Sequence, residues 1–449
     1  MASSRKPKRS SARKSLVSHV AAALTGVVLP GQRLVLGLSG GIDSMLLLDV
    51  LVRLAPRMGF CLEAFHVNHQ LSPNAAAWAR FCRAACRRLS VRCKVVKVEV
   101  QRGNSIEAAA RAERYAALMT SGADHIALAH NLDDQAETIV LQLLRGAGVK
   151  GLAAMPAVRT GAGRTPSIVR PLLNVPRGEI ERYARRRKLE WIEDESNADT
   201  HYARNWLRSE VVPRIAQRVP AYRETLARAA RNLGEAAGLL DELAAIDAAT
   251  ARSGDGLSVD AMRALSPARA KNLLRFLLNM GGWRMPESAR LTEALRQALG
   301  ARTGARVVVD LGSCELRLHR GVIHLVPSRL SSVDDAVVTW RGERELALPT
   351  GVLTMTRGRG AGLSAAKLQR AAVTIRCRRG GERLQPDPRR PRRTVKNLLQ
   401  EAGIPPWQRE RLPFIYCGDT LACVPGAGVD YRFRAGSGEP SIAASWREL

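Results

Sequence analysis

Acidic residues are scarce where the chain begins, and none precedes Asp43. Over all 449 residues, 41 Asp and Glu stand against 70 Lys and Arg, a formal net charge of +29. A synthetase acting only on small molecules has no need of such an excess. Long apolar runs are also missing. Nothing approaches the ~20 residues that a helix needs to cross a bilayer, which excludes a helical membrane span. The eight cysteines (61, 82, 86, 93, 314, 377, 417 and 423) are never spaced Cys-x-x-Cys. That spacing is the usual mark of zinc and redox pairs, so these cysteines read as reduced and mostly structural. The opening "MASSRKPKRSSARKSLVSHV" is basic and serine-rich, without the apolar core or cleavage site of a secretory signal. A cytoplasmic protein is expected, with residues 1–29 as a basic disordered arm. There is no internal repeat.

What is present is clustered positive charge. Arg182 to Lys188 holds five basic residues in seven, and Arg376 to Lys396 nine in twenty-one. Uncompensated clusters of this kind suit a polyanion, because neutralising phosphates releases counterions and supplies salt-dependent affinity. An arginine-rich composition inherited from genomic base content would raise the charge without clustering it.

Strand-like and helix-like segments alternate from residue 33 onward. "RLVLGLS" leads to a helix, then "CLEAFHVNH", a helix near Ala75 to Leu89, and "CKVVKVEV". A helix over Ser105 to Thr120 precedes "HIALAH" and a helix from about Asp134 to Arg145. This order predicts an α/β fold, a doubly wound parallel sheet with helices on both faces. A helical part over 216–330 follows it, then a linker over 331–365. A small, basic β-rich domain over 366–449 closes the chain. Ligands of such sheets sit beyond the carboxyl ends of the strands, where "SGGIDS", "HVNH" and "AHNLDD" all fall.

The stretch "LVLGLSGGIDSMLLLDVLVRL" places two glycines between an apolar strand and a long apolar helix. Unpaired N–H groups and the helix dipole then point at one spot, a ready anion site. It is not a Walker A loop, since no lysine follows the glycines. A phosphate cradle without that lysine suits release of pyrophosphate. In "AHNLDDQAET", Asp133, Asp134 and Glu137 lie on one helical face; capping explains one acid well and three poorly. "NSIEAAARAERYAAL" opens with a capping pattern, Asn104 and Glu107, and puts Arg111 and Arg114 on one face. These arginines suit phosphate binding or, more plainly, a surface ion pair of Glu107 with Arg111. His66 and His69 in "HVNHQL" face opposite sides of a strand and lack the cysteines of a zinc site.

The hexapeptide SGGIDS resembles the signature of PP-loop ATP pyrophosphatases. In order along the chain, SGGIDS, HVNH, RAERY, AHNLDDQAET, RGAGVKGLAAM, IVRPLL and EDESN…YARNWLR resemble the tRNA(Ile)-lysidine synthetase family. So does the tail "VKNLLQEAGIPPWQRERLPFIY…LACVPGAGVDYRF". The resemblance implies a PP-loop catalytic domain over 30–215 that binds ATP through Ser39, Gly40, Gly41, Ile42, Asp43, Ser44, His66 and His130. It implies Mg²⁺ on Asp43, and catalytic work by Asp43, Arg111, Asp134 and Glu137. Asp133, Asp134 and Glu137 would bind free L-lysine. Arg204, Asn205, Arg208, Arg383, Lys396, Arg409 and Arg411 would hold an isoleucine tRNA with a CAU anticodon. A homodimer is among the assemblies it allows. Three positions depart from the family pattern: Asn131 replaces a second histidine, Glu195 a proline, and Gln70 a glycine. The rivals are a PP-loop enzyme inserting sulfur at the same carbon, with Cys82 and Cys86 as its only nearby pair, and a non-catalytic RNA-binding protein.

Overall fold

Leu34, Val35 and Leu36 are all buried, as a strand must be when helices cover both faces of its sheet. They lie in β1 (Arg33–Gly37), preceded by helix α1 (Leu16–Leu24). The computed structural model describes residues 15–100, 106–161, 163, 165–195, 199–302, 304–328 and 337–448. Residues 1–14, Asn104 and the side chain of Glu107 lie outside the described residues. The chain divides into two compact units, 1–242 and 243–449.

The arm expected over 1–29 is a folded helix from Leu16. Ser15 caps it, accepting the N–H of Ser18 at 3.2 Å. Val20, Leu24 and Val28 are buried in the same core as the next helix. Apolar residues at 16, 17, 20, 21 and 24 form one helical stripe, which the surrounding basic and serine residues conceal in a compositional reading.

In the first unit, α2 (Ile42–Met58) follows β1, and then come β2 (Cys61–Asn68), α3 (Ala75–Arg88), β3 (Arg92–Lys97), α4 (Ile106–Met119), β4 (His125–Ala127) and α5 (Leu132–Leu144). The remaining elements are α6 (Val149–Leu152), β5 (Val158–Arg159), β6 (Ser167–Val169), α7 (Arg177–Arg186), α8 (Ala203–Trp206), α9 (Val212–Arg218) and α10 (Tyr222–Ala251). The sheet order is β3-β2-β1-β4-β6-β5. All pairings are parallel except that of β5 with β6. The chain winds outward from β1 to β3, then returns to place β4 on the other side of β1. The strand order therefore reverses at β1 and β4, and a crevice opens at their carboxyl ends. Leu46, Leu47, Leu48 and Leu51 of α2 have no exposed surface; truncating one such leucine to alanine costs about 2–5 kcal/mol. That packing fixes where the first turn of α2 points.

In the second unit, β7 (Arg252–Ser253), β8 (Gly256–Ser258), β9 (Val307–Asp310), β10 (Cys314–His319) and β11 (Val322–Pro327) make an antiparallel sheet. Helices α11 (Val259–Ala264), α12 (Pro267–Met280) and α13 (Ser288–Gly300) share its core. A two-stranded antiparallel sheet and two larger ones follow. One joins β12 (Val338–Trp340) to later strands, and the other holds β13 (Glu345–Leu348), β14 (Gly351–Arg359) and β15 (Leu363–Ser364). The linker expected over 331–365 is therefore largely strand over its described residues, 337–365. β14 pairs along its whole length with the last strand, Pro440–Glu448, and Leu353 and Met355 are buried between the sheets. Turn residues within the segment masked a hairpin whose partner strand lies some 90 residues away (440 against 351). Helices α14 (Ala365–Leu368), α15 (Val395–Glu401) and α16 (Pro406–Arg409) complete this part.

Candidate active site

The glycine turn is built by its backbone. Gly40 has φ +91°, and a Cβ there would lie 2.5 Å from Ile192 Cδ1. Only glycine meets both demands. Ile192 N–H donates to the Gly40 carbonyl at 2.9 Å, holding the turn from outside. Gly41 is the N-cap of α2 and offers no side-chain acceptor to the first turn, which leaves that turn's N–H groups to an anion. The two serines brace the turn. Ser44 Oγ donates to the Gly41 carbonyl at 3.0 Å and accepts the Gly40 N–H at 3.1 Å. Ser39 Oγ lies 3.1 Å from Ser44 Oγ.

Asp43 enters from the first turn of α2 and is met from two other helix starts. Asn131, the N-cap of α5, donates its Nδ2 to Asp43 Oδ1 at 3.2 Å. Arg177, the first residue of α7, places Nη1 2.5 Å from Asp43 Oδ2. Three helix N-termini thus surround one carboxylate, and their dipoles favour further negative charge. Burial holds the Asp43 carboxyl above its ordinary range, against the pull of Arg177 and with a further push from Asp134.

The acids of α5 are all engaged. Asn131 and Asp134 form a capping box, each side chain accepting the other's N–H at 3.0 Å. Asp133 accepts the Arg177 backbone N–H at 2.9 Å and pairs with Arg223 of α10. Glu137 is buried, and its two oxygens take Arg204 Nε at 2.8 Å and Arg208 Nε at 2.7 Å. The same two guanidiniums reach Asp134 Oδ1 at 3.4 and 3.5 Å. A π-helical turn, Leu207–Val211, follows α8 and carries Arg208; such turns re-aim side chains at functional sites.

Across the crevice the groups are cationic or neutral. Burial, with help from Arg170, Arg111, Arg204 and Arg114, drives the His130 imidazole far below its usual range. Its Nδ1 is buried without a partner among the described residues, as are His69 Nδ1 and Arg170 Nε. His69 is lowered to about 4, mainly by burial and by Arg114. Arg111 and Arg159 lie over the Tyr115 ring at 5.4 and 5.7 Å. The imidazole of His66 is tied 2.9 Å from the Leu38 carbonyl, just before the glycine turn, and burial keeps it neutral.

A family model described as a PP-loop domain matches residues 13–215, and models described as the TilS substrate binding domain and the TilS substrate C-terminal domain match 257–324 and 373–446. A tRNA(Ile)-lysidine synthase from Nitrosomonas europaea is 44% identical over 94% of this chain and 93% of its own. The chain belongs to the tRNA(Ile)-lysidine synthase family. Similar family members are found in an Azoarcus species, 41% identical over 93% of this chain and 92% of its own, and in Coxiella burnetii, 38% identical over 88% and 89%.

Within this lysidine synthase fold, Ser39 to Ser44, Asp43, Asp133, Asp134, Glu137, His66, His130 and Arg111 stand on elements that border the carboxyl ends of β1, β2 and β4. Arg204 and Arg208, expected at the RNA approach, are instead ion-paired to the acids of α5. Asn205 donates to the Asp199 carbonyl at 2.9 Å. Two of the departures have local reasons. Asn131 caps α5 and reaches Asp43, both of which an amide does well. Gln70 has φ +57°, a conformation that glycine adopts at no steric cost. Glu195 accepts a hydrogen bond from Asn74 Nδ2 at 3.3 Å. Arg177 and Arg223 escaped sequence reasoning, and Arg170 entered it only as part of the motif IVRPLL.

Among the basic residues of the tail, Arg383 and Lys396 are exposed, whereas Arg409 and Arg411 are buried. Arg411 is held inside, 3.1 Å from Glu448 Oε1 and 3.5 Å from the Thr350 carbonyl. Its surface role is therefore corrected to a structural one. The tail's high arginine content made a buried ion pair look like part of the RNA face.

Proposed function

We infer that this site joins free L-lysine to C2 of the wobble cytidine of an isoleucine tRNA with a CAU anticodon, using ATP and giving lysidine, AMP and pyrophosphate. The convergence of three helix N-termini on Asp43, beside a glycine turn that lacks the Walker lysine, carries this reading. The cytidine C2 oxygen attacks the α-phosphorus of ATP, and the bond to the β-phosphate breaks. The N–H groups of the first turn of α2 receive the departing pyrophosphate. The lysine ε-amine then attacks C2, and AMP leaves with the oxygen.

Asp43, with phosphate oxygens, would hold Mg²⁺, a hard cation commonly bound by one or two carboxylates plus substrate phosphates. Among the described residues no group of three or more His, Cys, Asp or Glu forms a ready metal cage. That fits an ion arriving with the nucleotide. When bound, it neutralises the charge on the leaving pyrophosphate. Arg177, already at Asp43, is then free to turn to the phosphates.

Lysine's amine is uncharged in only about one molecule in 2,500 at pH 7, so the site must hold an ammonium and help to deprotonate it. Asp134 suits this work best among the three acids. Its arginine contacts are long, 3.4 and 3.5 Å, while Asp133 and Glu137 are bound at shorter range. Burial also lifts its carboxyl above the ordinary range, toward a more useful proton acceptor. Glu137 acts by holding Arg204 and Arg208. The sulfur-inserting alternative loses its chemistry here: Cys82 and Cys86 are fully buried, and burial pushes the Cys82 thiol up to about 12. No described helix is long and apolar enough to cross a membrane, in keeping with a cytoplasmic tRNA modifier.

The test is incubation of the protein with ATP, Mg²⁺, labelled lysine and the isoleucine tRNA. Label in the tRNA with stoichiometric AMP is the expected result. AMP without label would sink lysidine formation and keep the PP-loop chemistry.

A further inference from the structure

Asp49 is a buried carboxylate that the reaction does not use. It lies on α2, six residues after Asp43, and only 7% of its surface is exposed. Three donors reach it. Tyr183 of α7 donates its hydroxyl to Asp49 Oδ2 at 2.7 Å. Arg53 Nε stands 3.2 Å from the same oxygen, and Arg187 Nη2 stands 3.4 Å from Oδ1. Tyr183 is buried as well, with Ile180 and Ala184, in the apolar core that α7 shares with α2.

The spacing of these contacts shows how the two helices lie. Arg177 is 134 residues from Asp43, and Tyr183 is 134 residues from Asp49. An equal offset at two points six residues apart means that α2 and α7 run side by side in the same direction and in register. Apolar packing between them is non-directional and tolerates a slide along the axis. A hydrogen bond of 2.7 Å does not. A slide of one residue is about 1.5 Å, more than the ~1 Å misplacement that can cost a reaction about 10²-fold. The other holds on Arg177 leave this slide open. Its Nε meets Glu181 at 3.1 Å, which sits on α7 and moves with it. Its backbone N–H meets Asp133 at 2.9 Å, which ties α7 to α5 rather than to α2. Stability alone does not call for a carboxylate here, since a well-packed apolar pair would hold the helices together as well. It would not set their register.

We propose that Tyr183, bonded to Asp49, is a positioning residue for the adenylation step. It keeps α7 in register along α2, so that Arg177 meets Asp43 and the phosphates beside the glycine turn. This rests on the reading that ATP is cleaved at that turn. Neither Tyr183 nor Asp49 touches the reacting atoms; both act through Arg177.

The test measures AMP formation by full-length wild type, Tyr183→Phe, Arg177→Gln and the double variant. Each is supplied with ATP, Mg²⁺, lysine and the isoleucine tRNA, well below its melting temperature. Tyr183→Phe removes one oxygen and keeps the ring in the core. Its kcat should fall about 10- to 100-fold, with KM for lysine and tRNA unchanged. Added to Arg177→Gln it should cause no further loss, because residues that act as one unit are not additive. A merely structural tie predicts a lower melting temperature with kcat retained, or losses that add in the double variant. Either result would overturn the proposal, as would an Arg177→Gln enzyme with unchanged kcat. Arg187→Gln alters a half-exposed side chain, so it folds whatever Tyr183→Phe does. It removes the longest contact to Asp49 and should show the same pattern at smaller size. If wild type forms AMP and neither Tyr183→Phe nor Arg187→Gln differs from it, the positioning role is wrong and the enzymatic reading stands. If wild type forms no AMP, both fall.

Discussion

Arginine is used in two opposite ways in this molecule. Around the glycine turn, Arg177, Arg204, Arg208 and Arg223 each face a carboxylate. In the second unit, Arg320 and Arg409 instead donate to backbone carbonyls, those of Gln400 and Ile404. Matched charges fix side-chain positions before substrate arrives, which is what a reaction needs from its scaffold. Guanidiniums held by neutral carbonyls keep their net charge, which attracts a polyanion. The +29 charge of the chain thus divides into a part that is internally balanced and a part held open.

The sharpest way to break this contrast is to remove one member of the matched set. Asp43→Ala leaves Arg177 without its carboxylate and, on the proposed mechanism, takes away an oxygen ligand beside the pyrophosphate. AMP release should fall on the order of 10³-fold, the scale expected when one electrostatic element of a preorganised site is lost. Activity within tenfold of wild type would remove Asp43 from the chemistry. The next effect is on stability. Glu137→Leu removes a buried carboxylate from two guanidiniums, that of Arg204 mostly buried and that of Arg208 half exposed, and breaking such a set costs up to about 3–5 kcal/mol. A shift in urea midpoint together with lost lysine incorporation is expected. An unchanged midpoint would mean that the arginines find other partners, and the set is not matched as described.

A smaller effect separates the two uses of arginine within the second unit. Arg411, paired with Glu448, belongs to the matched kind despite its place in the basic tail. Arg411→Gln should lower stability by about 1.5–3 kcal/mol, the usual worth of hydrogen bonds to a charged group, with tRNA affinity unchanged. A loss of tRNA affinity with stability retained would move Arg411 out of the matched kind.

The sequence made the parallel sheet legible because its signals are local. Strand β1, the glycine turn and α2 follow one another within 26 residues, 33 to 58, and their apolar patterns need no distant partner. The acids of α5 were equally plain. What they touch was not, because Arg177, Arg204, Arg208 and Arg223 come from segments 44 to 90 residues further on. Pairing across such separations leaves no spacing to read. The same holds for β14, whose partner lies at the chain's end, so a strand looked like linker. Helix α1 failed for another reason: composition averaged over a basic segment hides a stripe of five apolar positions.

The mildest prediction concerns the neutral side of the crevice. His69 has an unfolded value near 6.5 and, in the folded protein, about 4, through burial and the charge of Arg114. Above pH 6.5 neither state carries the proton, and the folded protein has its full stability. As pH falls toward 4 the unfolded chain takes up a proton that the folded chain refuses, so stability declines over that window. His69→Asn keeps a polar group of similar size and removes the titration. Its urea midpoint should fall less steeply than that of wild type between pH 6.5 and 4, and run parallel to it above pH 7. Parallel curves throughout would mean that the folded protein admits the proton at His69.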